Sequence, residues 1–307
     1  MHDRRMKKPI RTEGYAHGPE KIRLGDLEVG RLGYGAMRLP GDEVWGDPAD
    51  PARARAVLRR AIELGIDFID TAWFYGPLVA NQLIAEALRP YPKHLVIATK
   101  LGAKRLPDKS WVAYARPEEL RHGAEEDLRS LGLERLDVVH LRWRNDAGVP
   151  LLESIDALVE LQREGKIRHL ALSCVDVKQI EAARTRAPIV AVQNPFNVGG
   201  GGGKMARFAH AEVESPEGVL AYCETHGIAF LPFFPLGAGN IAKEKPGLAR
   251  VAERHGATTA QIALAWLLAR SPVMLPIPGT GSVAHLEENW EARRIALSAD
   301  DVAESLP

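Results

Sequence analysis

The chain has 307 residues with 40 Lys and Arg against 40 Asp and Glu, a formal net charge of zero, and is 46% hydrophobic and 26% charged. That balance excludes a general electrostatic pull toward nucleic acid or an anionic membrane, and two cysteines, Cys174 and Cys223, exclude a disulfide framework and favour a reducing compartment. There is no CxxC or HExxH spacing and no apolar run long enough to span a bilayer, so no metal, nucleic-acid or membrane partner is expected and the chain reads as cytoplasmic.

Residues 1–20 read as a disordered tail, because their start, MHDRRMKKPIR, is highly charged and lacks the apolar stretch of a secretory signal. Residues 21–307 read as one domain. Residues 23–30, with Gly25-Asp26 between apolar neighbours, read as a small hairpin. Short β-branched runs then alternate with longer amphipathic stretches, giving strands at 30–34, 66–70, 94–100, 136–141, 167–173, 189–193, 228–232 and 273–277. The stretches between carry helix punctuation. Asp50-Pro51 supplies an N-cap and a proline at the first helical position, and Gly65 closes that helix. Leu120, Ala124, Leu128 and Leu131 form one apolar stripe, as do Leu152, Ile155, Val159 and Ala157 or Leu158 before Gly165. Thr258 and Gln261 form a capping box ahead of an apolar run. Five glycines, residues 199–203, follow the sixth strand; a flap over a site and a solvated linker both remain open.

Eight strands separated by helices suit a closed barrel or a doubly wound sheet. The first strand runs into Gly33-Tyr34-Gly35-Ala36-Met37, which lacks the G-x-G-x-x-G turn of a dinucleotide-binding doubly wound sheet. The expected fold is therefore a (β/α)8 barrel with an N-terminal β-hairpin and extra C-terminal helices.

Reducing a carbonyl by hydride transfer places negative charge on oxygen, so a donor must stand there. A tyrosine can be that acid if a nearby lysine lowers its pKa and a carboxylate holds the lysine. Asp70 ends the second strand, Tyr75 lies in the following loop and Lys100 ends the third strand. Each alone could be a turn cap, a loop aromatic or a solvated strand end; their joint placement at neighbouring strand ends favours chemistry.

The run Phe68-Ile69-Asp70-Thr71-Ala72-Trp73-Phe74-Tyr75-Gly76 resembles the D-T-A-x-x-Y-G signature of the aldo/keto reductase family. Ile97-Ala98-Thr99-Lys100 is similar to that family's strand-three lysine segment, and Pro235-Leu236-Gly237 resembles its pyrophosphate loop. Ile277-Pro278-Gly279-Thr280, through Glu288-Asn289, resembles its C-terminal cofactor signature, so the likeness covers residues 22–297. The resemblance implies a (β/α)8 barrel, NADP(H) bound without a Rossmann fold, a small-molecule carbonyl substrate and an Asp-Tyr-Lys-His tetrad. Asp70, Tyr75 and Lys100 match three tetrad positions, and Arg142 stands where the histidine belongs, with His140 two residues earlier as a core residue. Arg142 is expected to orient the substrate oxygen or an anionic substrate group.

For the cofactor the resemblance implies contacts from Gly35, Ala36, Met37 and Asp70. Ser173 and Cys174 occupy the place of a Ser-Asn pair, which shifts the carboxamide contact toward Ser173 and Gln193. Phe233 stands where the family has an aromatic on the nicotinamide and Phe234 where a serine is usual; both are expected at the cofactor, followed by Pro235, Leu236 and Gly237. Pro278, Gly279, Thr280, Ser282, His285, Glu288 and Asn289 would hold the adenosine end; Gly279-Thr280 replaces the frequent Lys-Ser, and His285 an arginine. Trp45, Trp73, Phe74 and Trp143 are the aromatics expected to line a substrate pocket. Several of these segments look most like a bacterial subgroup associated with pyridoxal reduction, making pyridoxal the candidate substrate. The alternatives are an NADPH-binding sensor with little turnover and a barrel lyase; the oligomeric state is left open.

Overall fold

The computed structural model describes residues 20–200, 215–237 and 246–305. All of the expected tail but Glu20, and residues 201–203 of the glycine run, lie outside them.

Strands β1 (Lys21–Leu24) and β2 (Leu27–Gly30) form the expected antiparallel hairpin around Gly25-Asp26, with Gly25 at φ +68. The barrel strands are β3 (Tyr34–Gly35), β4 (Phe68–Asp70), β5 (Val96–Arg105), β7 (Leu136–Arg142), β8 (Ile167–Ser173), β9 (Ile189–Pro195) and β10 (Ala229–Phe233), in the order β3-β4-β5-β7-β8-β9-β10 with every neighbouring pair parallel. Ten helices are described: α1 (Pro51–Glu63), α2 (Val79–Leu88), α3 (Pro117–Leu131), α4 (Leu151–Arg163), α5 (Val177–Arg184), α6 (Pro216–His226), α7 (Pro246–His255), α8 (Thr259–Arg270), α9 (Val283–Glu291) and α10 (Ala299–Glu304). The last two are the extra C-terminal helices.

Local chemistry sets these boundaries. The Asp50 carboxylate accepts the Arg53 N–H at 2.9 Å and opens α1, whose Ala54, Val57, Leu58 and Ala61 make one buried stripe against the sheet. Thr258 and Gln261 cap each other's backbone at the start of α8, as the sequence suggests.

Three expected strands differ most in extent. The first is only Tyr34–Gly35, because residue 30 belongs to the hairpin and its N–H bonds the Asp67 carboxylate at 2.9 Å. The third runs on past Lys100 and folds back against β6 (Trp111–Tyr114), a hairpin the sequence reading missed. The eighth is no continuous strand. Met274 bridges Phe230, the Leu275 N–H bonds the Phe230 carbonyl at 2.9 Å, and the Pro276 and Pro278 carbonyls accept from Gly33 and Gly35 at 2.9 and 3.3 Å. Two prolines remove the N–H groups a full ladder needs, yet their carbonyls still join the segment to β3 and close the ring.

A strand's side chains alternate faces, so each barrel strand sends every second residue inward. Phe68, Val96, Ala98, Val138, Ala171, Ala191, Ala229, Leu231, Leu275 and Ile277 fill the lower interior, and Ile22, Leu24 and Val29 of the hairpin plug its floor. The second, larger core lies between strands and helices. Continuing the inward series toward the carboxyl ends reaches Asp70, Lys100, His140, Arg142, Ser173 and Gln193: the lining changes from apolar to polar at one end of the barrel. No described helix is long and apolar enough to cross a membrane.

Candidate active site

Asp70, the last residue of β4, and Lys100 on β5 meet at 2.5 Å between Oδ2 and Nζ, with both side chains 4% exposed. The ammonium also donates to the Thr71 carbonyl at 2.9 Å, and the Gln193 amide donates to Asp70 Oδ1 at 2.8 Å. A charge this buried persists because its counter-charge and hydrogen bonds replace water. Burial works against the Lys100 ammonium, but Asp70 and then Tyr75 outweigh it and its pKa is raised.

Tyr75 follows in the loop after β4, buried, with Lys100 Nζ 5.0 Å from its ring centroid. Here the expected direction of the phenol's pKa is overturned. Burial pushes it up, and the opposing pull of Lys100, aided by Arg142, does not overcome that. The phenolate would lose its hydration, so the protein without ligand keeps Tyr75 as the neutral acid.

Lys100 and His140 are in register on neighbouring strands, and Arg142 lies two residues further on, opposite Ser173. His140 is fully buried, its Nδ1 lies 3.4 Å from the Thr99 carbonyl, and burial together with the Lys100 charge pushes its pKa down to about 3. It is a buried, neutral imidazole, but not the satisfied one that the sequence suggests: its Nε2 has no hydrogen-bond partner among the described residues. The Arg142 guanidinium lies 5.5 Å from the Trp111 ring centroid and near enough to Tyr75 to act on it.

Three of the expected substrate-side aromatics gather around the hairpin of β5 and β6. Phe74 packs edge-on to Tyr75 at 5.4 Å and to Trp111 at 5.6 Å, and Trp45 bridges Gly76. Trp73 packs edge-on to Phe74 at 6.4 Å and also against Tyr114 at 5.6 Å and His122 of α3 at 6.0 Å, so it joins the same aromatic group on the side nearer α3. Trp143 is buried, its N–H bonded to the Ser173 carbonyl at 2.9 Å. Sequence reasoning missed Trp111 and Arg105. The Arg105 guanidinium lies 4.4 Å from the Trp111 centroid and 5.5 Å from that of Trp45, and it donates to the Glu43 and Val44 carbonyls at 3.0 and 3.2 Å. The signal was available: Pro107-Asp108 between two strand-like runs is a hairpin turn.

The candidate cofactor residues fall at the same end. Cys174 directly follows β8 with φ +62, its N–H bonded to the Gln193 carbonyl at 3.1 Å, and Phe234 after β10 has φ +55. Neither is glycine, so both loops hold strained backbone beside the site. Phe233 and Phe234 lie 5.1 Å apart edge-on, and the Gly237 N–H closes the turn on the Phe234 carbonyl at 3.0 Å. On the next connection Tyr34 donates to the Thr280 carbonyl at 2.6 Å, the Thr280 hydroxyl accepts from the Ser282 N–H at 3.0 Å, and Ser282 caps α9, which carries His285, Glu288 and Asn289. A Cβ on Gly35 would come within 2.6 Å of the Ile277 carbonyl oxygen, so bare backbone floors the groove between the two segments. Glu288 is already engaged, accepting the Thr258 hydroxyl at 2.5 Å through its side chain and Gln261 at 3.0 Å through its carbonyl, so it braces α9 on α8 rather than pointing free. Among the described residues no cluster of His, Cys, Asp or Glu is placed to hold a metal ion.

The model of the aldo/keto reductase family matches residues 31–305. The chain is 46% identical over 282 residues to pyridoxine 4-dehydrogenase of Escherichia coli (strain K12), covering 90% of this chain and 94% of that one. It is 43% identical over 279 residues to an uncharacterized oxidoreductase of Schizosaccharomyces pombe, covering 91% and 86%. Among solved structures, the aldo-keto reductase from Klebsiella pneumoniae in complex with NADPH superposes with a TM-score of 0.74 at 25% identity, covering 93% of each chain.

Proposed function

The chain belongs to the aldo/keto reductase family, and from that premise we propose that it is an NADP(H)-dependent oxidoreductase that reduces pyridoxal to the corresponding alcohol. The dinucleotide fits the residues present. The loops 233–237 and 278–282 follow β10 and the neighbouring segment 273–277, the groove floor at Gly35 and Gly279 is bare backbone, and the capped start of α9 offers N–H groups to phosphate. Gln193 spends one amide hydrogen on Asp70, which leaves its side-chain carbonyl and the Ser173 hydroxyl for a carboxamide.

When bound, the reduced nicotinamide supplies hydride to the carbonyl carbon. The remaining work falls to the chain. Tyr75, kept protonated by burial, donates its phenolic hydrogen to the carbonyl oxygen as negative charge develops there. Lys100 then faces the phenolate, the one state of Tyr75 that its charge stabilises, so its contribution grows along the reaction instead of being spent beforehand. Asp70 fixes the ammonium at 2.5 Å, and Gln193 fixes Asp70 from the cofactor side. Arg142 supplies a permanent cation beside the substrate oxygen where the family has a neutral imidazole, which favours a substrate carrying its own anionic group. Phe74, Trp111 and Trp45 offer ring faces and edges to a flat aromatic aldehyde.

The observation that carries the proposal is the single ammonium facing both a carboxylate and a phenol at the polar end of the barrel. NADPH oxidation with pyridoxal, benzaldehyde, an aliphatic aldehyde and a simple ketone tests it. The highest kcat/KM is expected with pyridoxal. A higher value with the others would reject the substrate, and NADPH binding without turnover of any would favour the sensor.

A further inference from the structure

An NADP(H) phosphate group needs cationic partners, and the residues that the sequence nominates for it are short of them. Residues 233–237 and 278–289 contain no lysine or arginine, and His285 is their only basic side chain. Two glutamates, Glu287 and Glu288, add negative charge nearby; Arg60 offsets the first at 2.7 Å. Hydroxyls and helix-start N–H groups alone would leave a phosphate without a full counter-charge.

Arg38 lies where the deficit is. It ends the short 3-10 turn Ala36–Arg38 that follows β3, directly after the nominated residues Gly35, Ala36 and Met37. A Cβ on Gly279 would meet Arg38 Cγ at 3.4 Å, so the arginine stem runs over the bare backbone of Gly279. A Cβ on Gly281 would lie 3.5 Å from the Arg38 carbonyl oxygen. The two segments are tied together by the Gly35 N–H on the Pro278 carbonyl at 3.3 Å and the Tyr34 hydroxyl on the Thr280 carbonyl at 2.6 Å. Arg38 is thus fixed at its base next to Thr280 and Ser282. Its side chain is exposed and makes no hydrogen bond or ion pair with any described residue.

We infer that Arg38 is the cation that binds phosphate charge of the dinucleotide, reaching from the first strand's loop across Gly279 to supply what the C-terminal segment lacks. This rests on the proposed use of NADP(H). The shared chemistry is a phosphate oxyanion, either the 2′-phosphate or the pyrophosphate, and the planar guanidinium can present two parallel donors to either. Absence of a side chain at Gly279 is then part of the same arrangement, since a Cβ there would press on both the Gly35 carbonyl at 2.7 Å and the Arg38 stem.

Binding of NADPH, NADH and 2′,5′-ADP to the full chain, read by quenching of tryptophan fluorescence and by calorimetry, tests this without relying on turnover. The variants are Arg38→Ala, Arg38→Gln and Arg38→Lys, each checked for an unchanged Tm because the side chain is exposed. The Ala and Gln variants are expected to raise the Kd of NADPH about tenfold, with Arg38→Lys retaining most of the affinity and the salt dependence of binding reduced in the neutral variants. A loss confined to NADPH and 2′,5′-ADP identifies the 2′-phosphate; an equal loss for NADH identifies the pyrophosphate. Unchanged Kd values in Arg38→Ala would overturn the inference while leaving cofactor use intact. Failure of the unaltered chain to bind NADPH at all would instead overturn the reading on which it rests.

Discussion

Lys100 Nζ sits 2.5 Å from Asp70 Oδ2 in the interior of the barrel, and the same ammonium faces the ring of Tyr75 at 5.0 Å. One cation is therefore shared by a carboxylate and by a phenol that, in the proposed mechanism, becomes anionic only as it gives up its proton.

Removing the carboxylate should be costly twice over. Asp70→Asn leaves a buried ammonium without its counter-charge, a loss of about 3–5 kcal/mol when one partner of a buried pair is deleted. Lys100 would then deprotonate more readily and support the Tyr75 phenolate less. Thermal melting should show the destabilisation, and kcat should fall more than the affinity for NADPH. Retention of both kcat and Tm would refute the assigned role of the pair.

Tyr75→Phe keeps the ring that packs on Phe74 but removes the proton donor. Turnover should drop on the order of 100-fold or more, with the NADPH Kd changed by less than about threefold. If both fall together, the loop has been disturbed and the proton-donor role is not supported.

Arg142→Ala should lower kcat/KM for pyridoxal, whose ring hydroxyl can ionise, by about tenfold or more, and lower it less for an uncharged aliphatic aldehyde. Steady-state kinetics on both substrates decides this; equal kcat/KM before and after the substitution would remove Arg142 from the substrate site.

Two buried groups away from the proton donor give stability an opposing pH dependence. Asp127 on α3 accepts Thr99 at 2.8 Å and Asn81 at 2.6 Å, and burial still pushes its pKa up to about 7 from 3.8. The folded form holds this proton more tightly than the unfolded chain, so wild-type stability is fully present below the unfolded pKa and lost as pH rises toward 7. His140, pushed down to about 3 from 6.5, acts oppositely: its contribution is present above 6.5 and lost as pH falls toward 3. The two oppose each other between these limits. In melting curves from pH 4 to 8, Asp127→Asn should gain Tm relative to wild type as pH rises to 7, and His140→Gln should gain as pH falls below 6.5. Differences independent of pH would show that neither group is titrated as described.

Cys174 holds φ +62, a conformation that asparagine adopts more readily than cysteine. Cys174→Asn should therefore raise stability by up to about 1 kcal/mol and, by supplying an amide beside Gln193, tighten NADPH binding. A lower Tm would mean that the cysteine's packing outweighs the backbone strain.

Much of this site was legible along the chain because its parts are local. Asp70, Thr71 and Tyr75 lie within one loop and its strand, and Lys100 ends the next expected strand; alternation alone predicts that inward positions become polar there. Helix starts at Asp50 and Thr258 were legible for the same reason, since a cap is a contact across three residues. The hairpin of β5 and β6, with Arg105 between Trp111 and Trp45, was missed although its turn residues were visible. Its importance lies in joining residues 45 and 111, which only the closed barrel brings together.

The amino-acid sequence by itself determined the alternating strands and helices, the family likeness, and the nomination of Tyr75, Lys100 and Asp70 as the proposed acid, ammonium and carboxylate, because these depend on residue type and short spacing. Tertiary structure alone decided the protonation state of Tyr75, the packing of Trp73 and Phe74 on the β5–β6 hairpin, the commitment of Glu288 to Thr258 and the meeting of Arg38 with Gly279. Those outcomes depend on how much water is excluded and on which distant segments share a boundary, and desolvation and contact are set only when the ring of strands closes.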